Sequence, residues 1–147
     1  MSDPTLLLVE DEPHSVFFFE HAMKKLGMTN PLQIATDGEQ ALNYLEGAGK
    51  FADRQKFPLP GLVVLDLKLP RASGFEVLRR IRQGRETRAL VVLMLTSSAS
   101  EADIAQAYDL GANGYLVKPL ALPQLVEIVG AIKNFSLTHN VPPPREI

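Results

Sequence analysis

The chain has 147 residues, a formal net charge of −2, 46% hydrophobic residues and no cysteine. This length and apolar content predict one soluble domain with a substantial core. The slightly acidic balance argues against direct nucleic-acid binding, which normally uses a basic surface. The absence of cysteine excludes disulfides and thiolate metal sites. No apolar stretch reaches the ~18 residues of a membrane span and the first residues lack a signal region, so we expect a cytoplasmic protein that does not enter a membrane.

Apolar runs and helical segments alternate along the sequence. Five short runs are predicted strands, and all but the second lack polar alternation, which is typical of strands buried on both faces of a parallel sheet. These runs cover about residues 5–10, 32–35, 62–65, 90–95 and 114–117. The helical segments that follow them cover about residues 13–27, 37–45, 74–81, 98–111 and 122–135. Pro13 suits the first turn of the first helix, and Ser98 and Glu101 have the spacing of a capping box at the start of the fourth.

Five strand–helix units predict a flavodoxin-like, doubly wound α/β fold with a five-stranded parallel sheet in the order 2-1-3-4-5. We assign residues 1–136 to this one domain. Residues 137–147 include three consecutive prolines and are expected to form an extended tail, without an output domain. Residues 50–60 are polar, contain two prolines and predict a long loop.

Polar side chains follow four of the predicted strands. Glu10 and Asp11 come after the first strand, Asp66 after the third, Thr96 after the fourth and Lys118 after the fifth. Taken singly, such residues are usually helix caps, solvated charges or β-forming residues. In a doubly wound sheet, however, ligands bind outside the carboxyl ends of the strands. Five such groups at that edge therefore indicate one functional site.

The residue types at this edge indicate phosphoryl chemistry. The sheet order places the first and third strands side by side, which brings Glu10, Asp11 and Asp66 together. Three carboxylates in one cleft repel each other unless a cation neutralises them, and oxygen ligands suit Mg²⁺ or Mn²⁺. Thr96 and Lys118 could hold phosphoryl oxygens beside the metal. Asp66 is the candidate nucleophile, because a carboxylate can form an acyl phosphate.

These motifs closely resemble the receiver domain of two-component response regulators. The resemblance extends over residues 5 to about 135. The matching segments are Leu8-Val9-Glu10-Asp11-Glu12, Leu65-Asp66 through Pro70-Arg71-Ala72-Ser73-Gly74, Thr96-Ser97-Ser98, and Gly111 through Lys118-Pro119. One departure is Glu10, which stands where the family commonly has Asp and reaches further toward a metal.

The resemblance implies a role for each of these residues. Asp66 would accept the phosphoryl group from a kinase phosphohistidine. Mg²⁺ would be bound, directly or through water, by the carboxylates of Glu10, Asp11 and Asp66 and by the backbone carbonyl of Lys68. Thr96 and Lys118 would contact the phosphoryl oxygens, and Tyr115 would be an aromatic switch that turns inward as Thr96 moves. The protein would then be a phosphoacceptor that takes part in its own phosphorylation and dephosphorylation, rather than an enzyme.

Two surfaces are candidates for protein contacts. Phe17 and Phe18, beside the acidic pair, are expected to help form the surface where a histidine kinase docks. The long loop after the second helix resembles stand-alone receivers that partner phytochrome-type kinases. The last helix has a wider apolar stripe than one-sided burial needs, and the family uses its fourth helix, fifth strand and fifth helix for signalling. We therefore expect a homodimer through a face that includes Leu125, Ile128, Val129, Ile132 and Phe135.

Two other functions are compatible with a strand-end Asp. An aspartyl-phosphate hydrolase of the haloacid dehalogenase type also uses one with Mg²⁺, but it places a second Asp two residues later, where this chain has Lys68. An interaction module that resembles a receiver but is never phosphorylated is the other alternative. Such degenerate copies are expected to lose acidic, acceptor or lysine residues, and here all of them are present.

Overall fold

The computed structural model describes residues 3–144. Its five strands are β1 (Leu6–Val9), β2 (Leu32–Ala35), β3 (Leu62–Leu65), β4 (Val91–Thr96) and β5 (Gly114–Val117). Its helices are α1 (Pro13–Lys25), α2 (Gly38–Glu46), α3 (Gly74–Gln83), α4 (Glu101–Asp109) and α5 (Leu122–Ile132). All strand pairs are parallel and the order is β2-β1-β3-β4-β5, so the predicted topology is confirmed. No helix within this part of the chain is long and apolar enough to cross a membrane.

The sheet separates two apolar cores, which explains why its strands lack polar alternation. Along β1, Leu7 and Val9 pack in one core, and Leu6 and Leu8 pack in the other. The first core is covered by α2, α3 and α4, and the second by α1 and α5. Because alternate strand residues point to opposite faces, each residue of a central strand must be apolar.

The predicted long loop after α2 is a packed structure. It begins with a 3-10 turn, Gly49–Phe51, and the rings of Tyr44, Phe51 and Phe57 lie 5.1–6.0 Å apart. Arg54 donates to the carbonyls of Tyr44 (2.8 Å), Leu45 (2.8 Å) and Phe57 (3.0 Å). It therefore adds a charged donor to carbonyls in the last turn of α2, where the Gly47 amide also donates to the Tyr44 carbonyl at 3.2 Å.

Two predicted helix boundaries were wrong. The fourth helix begins at Glu101 with Ser100 as its N-cap, since the Ser100 hydroxyl accepts from the Asp103 amide at 3.3 Å. The predicted capping box of Ser98 and Glu101 does not form, because Ser98 lies outside the helix and donates to the Asp103 carboxylate.

The last helix also extends further than residue 135. Lys133–His139 continue α5 as a π-helical segment, and Leu137 packs against the core beneath α1 and α5. This packing keeps residues 137–139 helical, so the extended tail starts later than predicted, at Asn140. Residues 145–147, the end of the predicted tail, lie outside the described residues.

Replacing Arg54 with Ala should lower the free energy of unfolding by about 2 kcal/mol, because three carbonyls lose a charged donor. Urea denaturation of the two proteins measures this difference. Gln55→Ala is the matched control, since Gln55 is exposed in the same loop. An equal effect of both substitutions would contradict a structural role for Arg54.

Candidate functional site

The ends of four neighbouring strands hold the predicted site residues at one edge of the sheet. Backbone hydrogen bonds extend the ladder by one residue at three of them. The amide of Glu10 donates to Ala35 (2.9 Å), that of Asp66 to Val9 (3.1 Å) and that of Lys118 to Thr96 (2.8 Å). The sheet therefore fixes the backbone of each side chain where it turns into the cleft.

The three predicted metal-binding carboxylates lie together. One carboxylate oxygen from each of Glu10, Asp11 and Asp66 lies within 4.8 Å of the other two. Glu10 and Asp66 are buried, with 3% and 7% exposure, whereas Asp11 is exposed at the mouth.

Lys118 bridges the two buried carboxylates. Its Nζ donates to Glu10 Oε1 and, at 2.8 Å, to Asp66 Oδ2. Three ionised carboxylates and one ammonium leave the cleft with a net charge of about −2, which a divalent cation would balance. The donor set therefore fits Mg²⁺ or Mn²⁺.

Burial and pairing act on the pKa values in opposite senses. Burial raises the pKa of Glu10, and hydrogen bonds from Lys118 and the Glu12 amide only partly offset it. For Lys118, burial acts to lower the pKa, but the hydrogen bonds to Asp66 and Glu10 outweigh it and raise the pKa. Lys118 is therefore firmly charged, and the cleft favours additional positive charge.

The loop after Asp66 is shaped by close backbone packing. Asp66 Oδ1 accepts from the amides of Leu67 (2.7 Å) and Lys68 (3.5 Å). A Cβ at Gly74 would lie 2.1 Å from the Asp66 carbonyl oxygen, so only glycine allows α3 to start this close to the site. The Lys68 side chain is exposed at the mouth of the cleft. The role of its backbone carbonyl as a metal ligand remains a prediction.

Thr96 and Tyr115 are linked through one residue of the β4–α4 loop. Thr96 is fully buried, and its Oγ1 lies 3.5 Å from the Ser98 amide nitrogen. The Tyr115 hydroxyl donates to the Ser98 carbonyl at 2.9 Å, and the Tyr115 ring is half-buried. This role of Ser98 has no signal in the sequence, because a bond between distant segments leaves no periodic pattern.

The two predicted contact surfaces differ in how well their residues are exposed. Phe17 is 63% and Phe18 42% exposed beside the acidic pair, as a docking surface requires. On α5, Val129 and Ile132 are buried, and Leu125 and Ile128 are half-buried against the core. Assigning Val129 and Ile132 to a dimer face was therefore wrong, because α5 uses its wide stripe to pack against α1 and the sheet.

The apolar exposure around the predicted dimer face comes from one of its own residues, Phe135, and from positions outside it. Phe135 is 55% exposed, Tyr108 on α4 is 49% exposed and Val117 on β5 is 41% exposed. These side chains, rather than the centre of α5, are available to a partner on this side of the molecule.

Comparison with known proteins decides the family. The sequence profile named "Response regulator receiver domain" matches residues 6–130, which is most of the chain. The chain belongs to the response regulator receiver family. It is a phosphorelay signalling domain, and it resembles the cyanobacterial regulators Rcp1 and RcpA.

Three relatives cover nearly all of this receiver domain. The probable methanogenesis regulatory protein FilR2 of Methanothrix harundinacea is 38% identical over 94% of this chain and 86% of its own length. Response regulator Rcp1 of Synechocystis is 34% identical over 90% of this chain and 88% of its own length. The structure of the phosphorylated cyanobacterial phytochrome response regulator RcpA has a TM-score of 0.90 and 31% identity, covering 97% of this chain and 100% of RcpA.

One solved relative holds a metal. The Mn²⁺-bound form of Rcp1 has a TM-score of 0.86 and 33% identity to this receiver domain, over 96% of this chain and 99% of Rcp1. The acidic cluster of the present chain has the donors that such an ion prefers.

Lys118→Met should lower the free energy of unfolding by about 3 kcal/mol near neutral pH, because two buried carboxylates lose their partner. The pKa of Glu10 is higher in the folded than in the unfolded protein, so the folded protein binds that proton more tightly and loses stability as the pH rises from the unfolded pKa through the folded pKa. Without Lys118 the pKa of Glu10 should rise further, so this dependence should steepen and the loss should shrink as the pH is lowered from neutral and Glu10 takes up its proton.

Urea denaturation in metal-free buffer at neutral and at mildly acidic pH tests the expectation. Lys68→Met is the control, because it removes an exposed cation at the mouth of the same cleft. A loss that is independent of pH, or equal in both variants, would argue against the buried bridge.

Proposed function

We propose that Asp66 accepts a phosphoryl group from the phosphohistidine of a sensor kinase in a Mg²⁺-dependent reaction. The observation that carries this proposal is the position of the Asp66 carboxylate. It is buried, lies beside the carboxylates of Glu10 and Asp11, and accepts a hydrogen bond from the Lys118 ammonium. Family membership supports the same chemistry. The protein would act as a phosphoacceptor that signals through protein contacts, and the kinase as donor would place it in the cytoplasm.

The transfer forms one bond and breaks another. An Asp66 oxygen attacks phosphorus, and the phosphorus–nitrogen bond to the donor imidazole breaks. That nitrogen keeps the bonding electron pair, and the donor leaves as neutral imidazole whose other nitrogen carries the proton. Asp66 Oδ1 is oriented by the Leu67 amide, and Oδ2 faces the Lys118 ammonium. Lys118 would release Glu10 and follow the phosphoryl oxygens, and the Thr96 hydroxyl would donate to another of them.

The metal site would use the carboxylates of Glu10, Asp11 and Asp66 and the backbone carbonyl of Lys68. A bound Mg²⁺ would neutralise charge on the carboxylates and on the transferring phosphoryl group. The exposed Asp11 side chain could change its rotamer to reach the ion. Glu10 has a longer side chain than Asp and would have to give up its contact with Lys118. Tyr115 would change its position when Thr96 moves, as the aromatic partner of the switch.

A phytochrome-type histidine kinase is the proposed partner, with Phe17 and Phe18 in the docking surface. The likeness to RcpA, described as a phytochrome response regulator, supports the kinase class. The exposure of the two rings beside Glu10 and Asp11 supports the surface.

A homodimer is proposed on the side of α4, β5 and α5, where Tyr108, Val117 and Phe135 are exposed. Sedimentation velocity with and without beryllium fluoride, a phosphoryl mimic, measures this association. A monomer in both states at tens of micromolar would contradict it.

Asp66→Asn should abolish labelling by acetyl phosphate in Mg²⁺ and leave the fold intact, because the acceptor oxygen is replaced by an amide. Phosphate incorporation by mass spectrometry and the far-ultraviolet circular dichroism spectrum measure both effects. Asp103→Asn, which also removes a carboxylate near the mouth, is the control and should remain labelled. Labelling of Asp66→Asn at the wild-type level would disprove the acceptor assignment.

The same experiment separates the two alternative functions. A hydrolase of the haloacid dehalogenase type would turn over small phosphate esters such as para-nitrophenyl phosphate. An interaction module that is never phosphorylated would take up no label. A receiver should be labelled and leave the esters unchanged.

Phe17→Ser should slow phosphotransfer from a phytochrome-type histidine kinase by about tenfold, which corresponds to about 1.4 kcal/mol of lost contact. Labelling by acetyl phosphate should stay unchanged, because the small donor needs no docking surface. Lys25→Ser, an exposed change at the far end of α1, is the control for the helix. An equal loss of rate with the kinase and with acetyl phosphate would show that Phe17 affects the fold or the phosphorylation site instead of docking. Transfer from the kinase at the wild-type rate would exclude Phe17 from the docking surface.

A further inference from the structure

The β3–α3 loop carries the Lys68 carbonyl and is held by hydrogen bonds on either side of it. Before it, the Leu67 carbonyl accepts from the Gly74 amide at 2.8 Å. After it, the Pro70 carbonyl accepts from the Gly38 amide, at the start of α2, at 3.1 Å. The ring of Pro70 fixes its own φ and restricts the residue before it, so a displacement of Pro70 also moves Lys68.

The start of α2 approaches this loop so closely that only glycine fits. A Cβ on Gly38 would lie 2.0 Å from the Ala72 carbonyl oxygen and 2.7 Å from the Ala72 Cβ. The nearest of these atoms belongs to the backbone, so no side-chain rotation can relieve the clash. The Gly38 amide is among the first four of the helix, which find no partner within it, and the Pro70 carbonyl supplies one. The two elements therefore share a hydrogen bond across a contact that has no space for a methyl group.

The tip of the loop is a strained turn. Arg71 has a φ of 71°, and among residues 3–144 it is the one residue other than glycine with a positive φ. The Ala72 amide donates to the Pro70 carbonyl at 2.8 Å, which closes a three-residue γ-turn around Arg71. This turn is rare and strained when its central residue has a positive φ and a Cβ.

The side chain of Arg71 contributes little to holding this turn. Its guanidinium lies 3.7 Å from the carboxylates of Asp37 and Glu39, and the Arg71 side chain is 66% exposed. Exposed ion pairs of this length are weak. The turn is therefore held by its backbone contacts with the start of α2.

We propose that Gly38 is a positioning residue of the metal site. By holding the turn at Arg71 through the Pro70 carbonyl, it keeps the β3–α3 loop, and with it the Lys68 carbonyl, at the edge of the acidic cleft. This inference rests on the proposed function, in which that carbonyl is a metal ligand. The loop borders the cleft, since Lys68 and Pro70 line the same surface depression as Asp11. Backbone strain of this kind occurs mostly at functional sites, where the surrounding structure enforces it.

Mn²⁺ binding to the full chain, measured by the electron paramagnetic resonance of the free ion, tests the proposal. Gly38→Ala should weaken the Kd for Mn²⁺ by about tenfold, because the added methyl group displaces the loop that carries a metal ligand. Alanine favours a helix more than glycine does, so the substitution does not disfavour α2 itself.

Gly61→Ala is the matched control. A Cβ on Gly61 would lie 2.6 Å from the Pro4 Cβ, but Gly61 precedes β3 at the opposite edge of the sheet from the acidic cleft. This variant should lose stability in urea and keep the wild-type Kd for Mn²⁺. The comparison therefore separates a loss of metal affinity from a general loss of stability.

Two substitutions of Arg71 test the same loop without changing α2. Arg71→Gly should keep the Kd within about twofold of the wild type, because glycine adopts a positive φ without strain. Arg71→Val should weaken the Kd about three- to tenfold, because a β-branched residue strongly disfavours this conformation. If Gly38→Ala does not fold, this pair carries the test.

Each unfavourable outcome has a distinct meaning. If the wild type does not bind Mn²⁺, the proposed metal-dependent function fails and this inference fails with it. If the wild type binds and either Gly38→Ala or Arg71→Val retains its affinity, the proposed function stands and the loop is not positioned in this way. If Arg71→Gly weakens binding as much as Arg71→Val, the Arg71 side chain acts instead of the backbone turn, which also contradicts the proposal.

Discussion

The structure depends on one electrostatic constraint, the balance of charge at the carboxyl edge of the sheet. Glu10 and Asp66 are buried side by side, Asp11 adds a third carboxylate, and Lys118 supplies the ammonium between the buried pair. Buried charges are tolerated only when they are paired, so Lys118 makes this arrangement possible. The remaining negative charge is also what gives the site its affinity for a cation. Fold stability and the proposed chemistry therefore use the same four side chains.

The same edge connects the site to the surface of the molecule. Thr96 ends β4 in the core, and the β4–α4 loop that follows it carries Ser98, which contacts Tyr115 on β5 and Asp103 on α4. A change at the buried hydroxyl can therefore reach two exposed elements through a single residue. The same two elements carry Tyr108 and Val117, which leave apolar surface uncovered.

Much of the fold and most of the site could be predicted from the sequence. The apolar runs predicted the strands, because each central strand residue faces one of two cores, and the alternation of five strands with helices predicted the strand order. The site residues were predictable since they follow those strands directly. The packed loop around Arg54 and the burial of Val129 and Ile132 were not predictable, because they depend on contacts between distant segments. Ser98 was assigned to a capping box because Glu101 follows it at capping-box spacing, whereas its actual partner, Asp103, lies five residues away, a spacing that matches no helical cap.

The most direct test of this account is an anomalous difference map from crystals of the unphosphorylated protein grown with Mn²⁺. Coordination by carboxylate oxygens at roughly 2.0–2.2 Å is expected for an ion of this kind. We expect one strong peak among Glu10, Asp11 and Asp66, with Lys118 moved away from Glu10. A map with Lys118 still bridging both carboxylates and no peak between them would contradict the account, because the charge of the cleft would then be balanced without a metal.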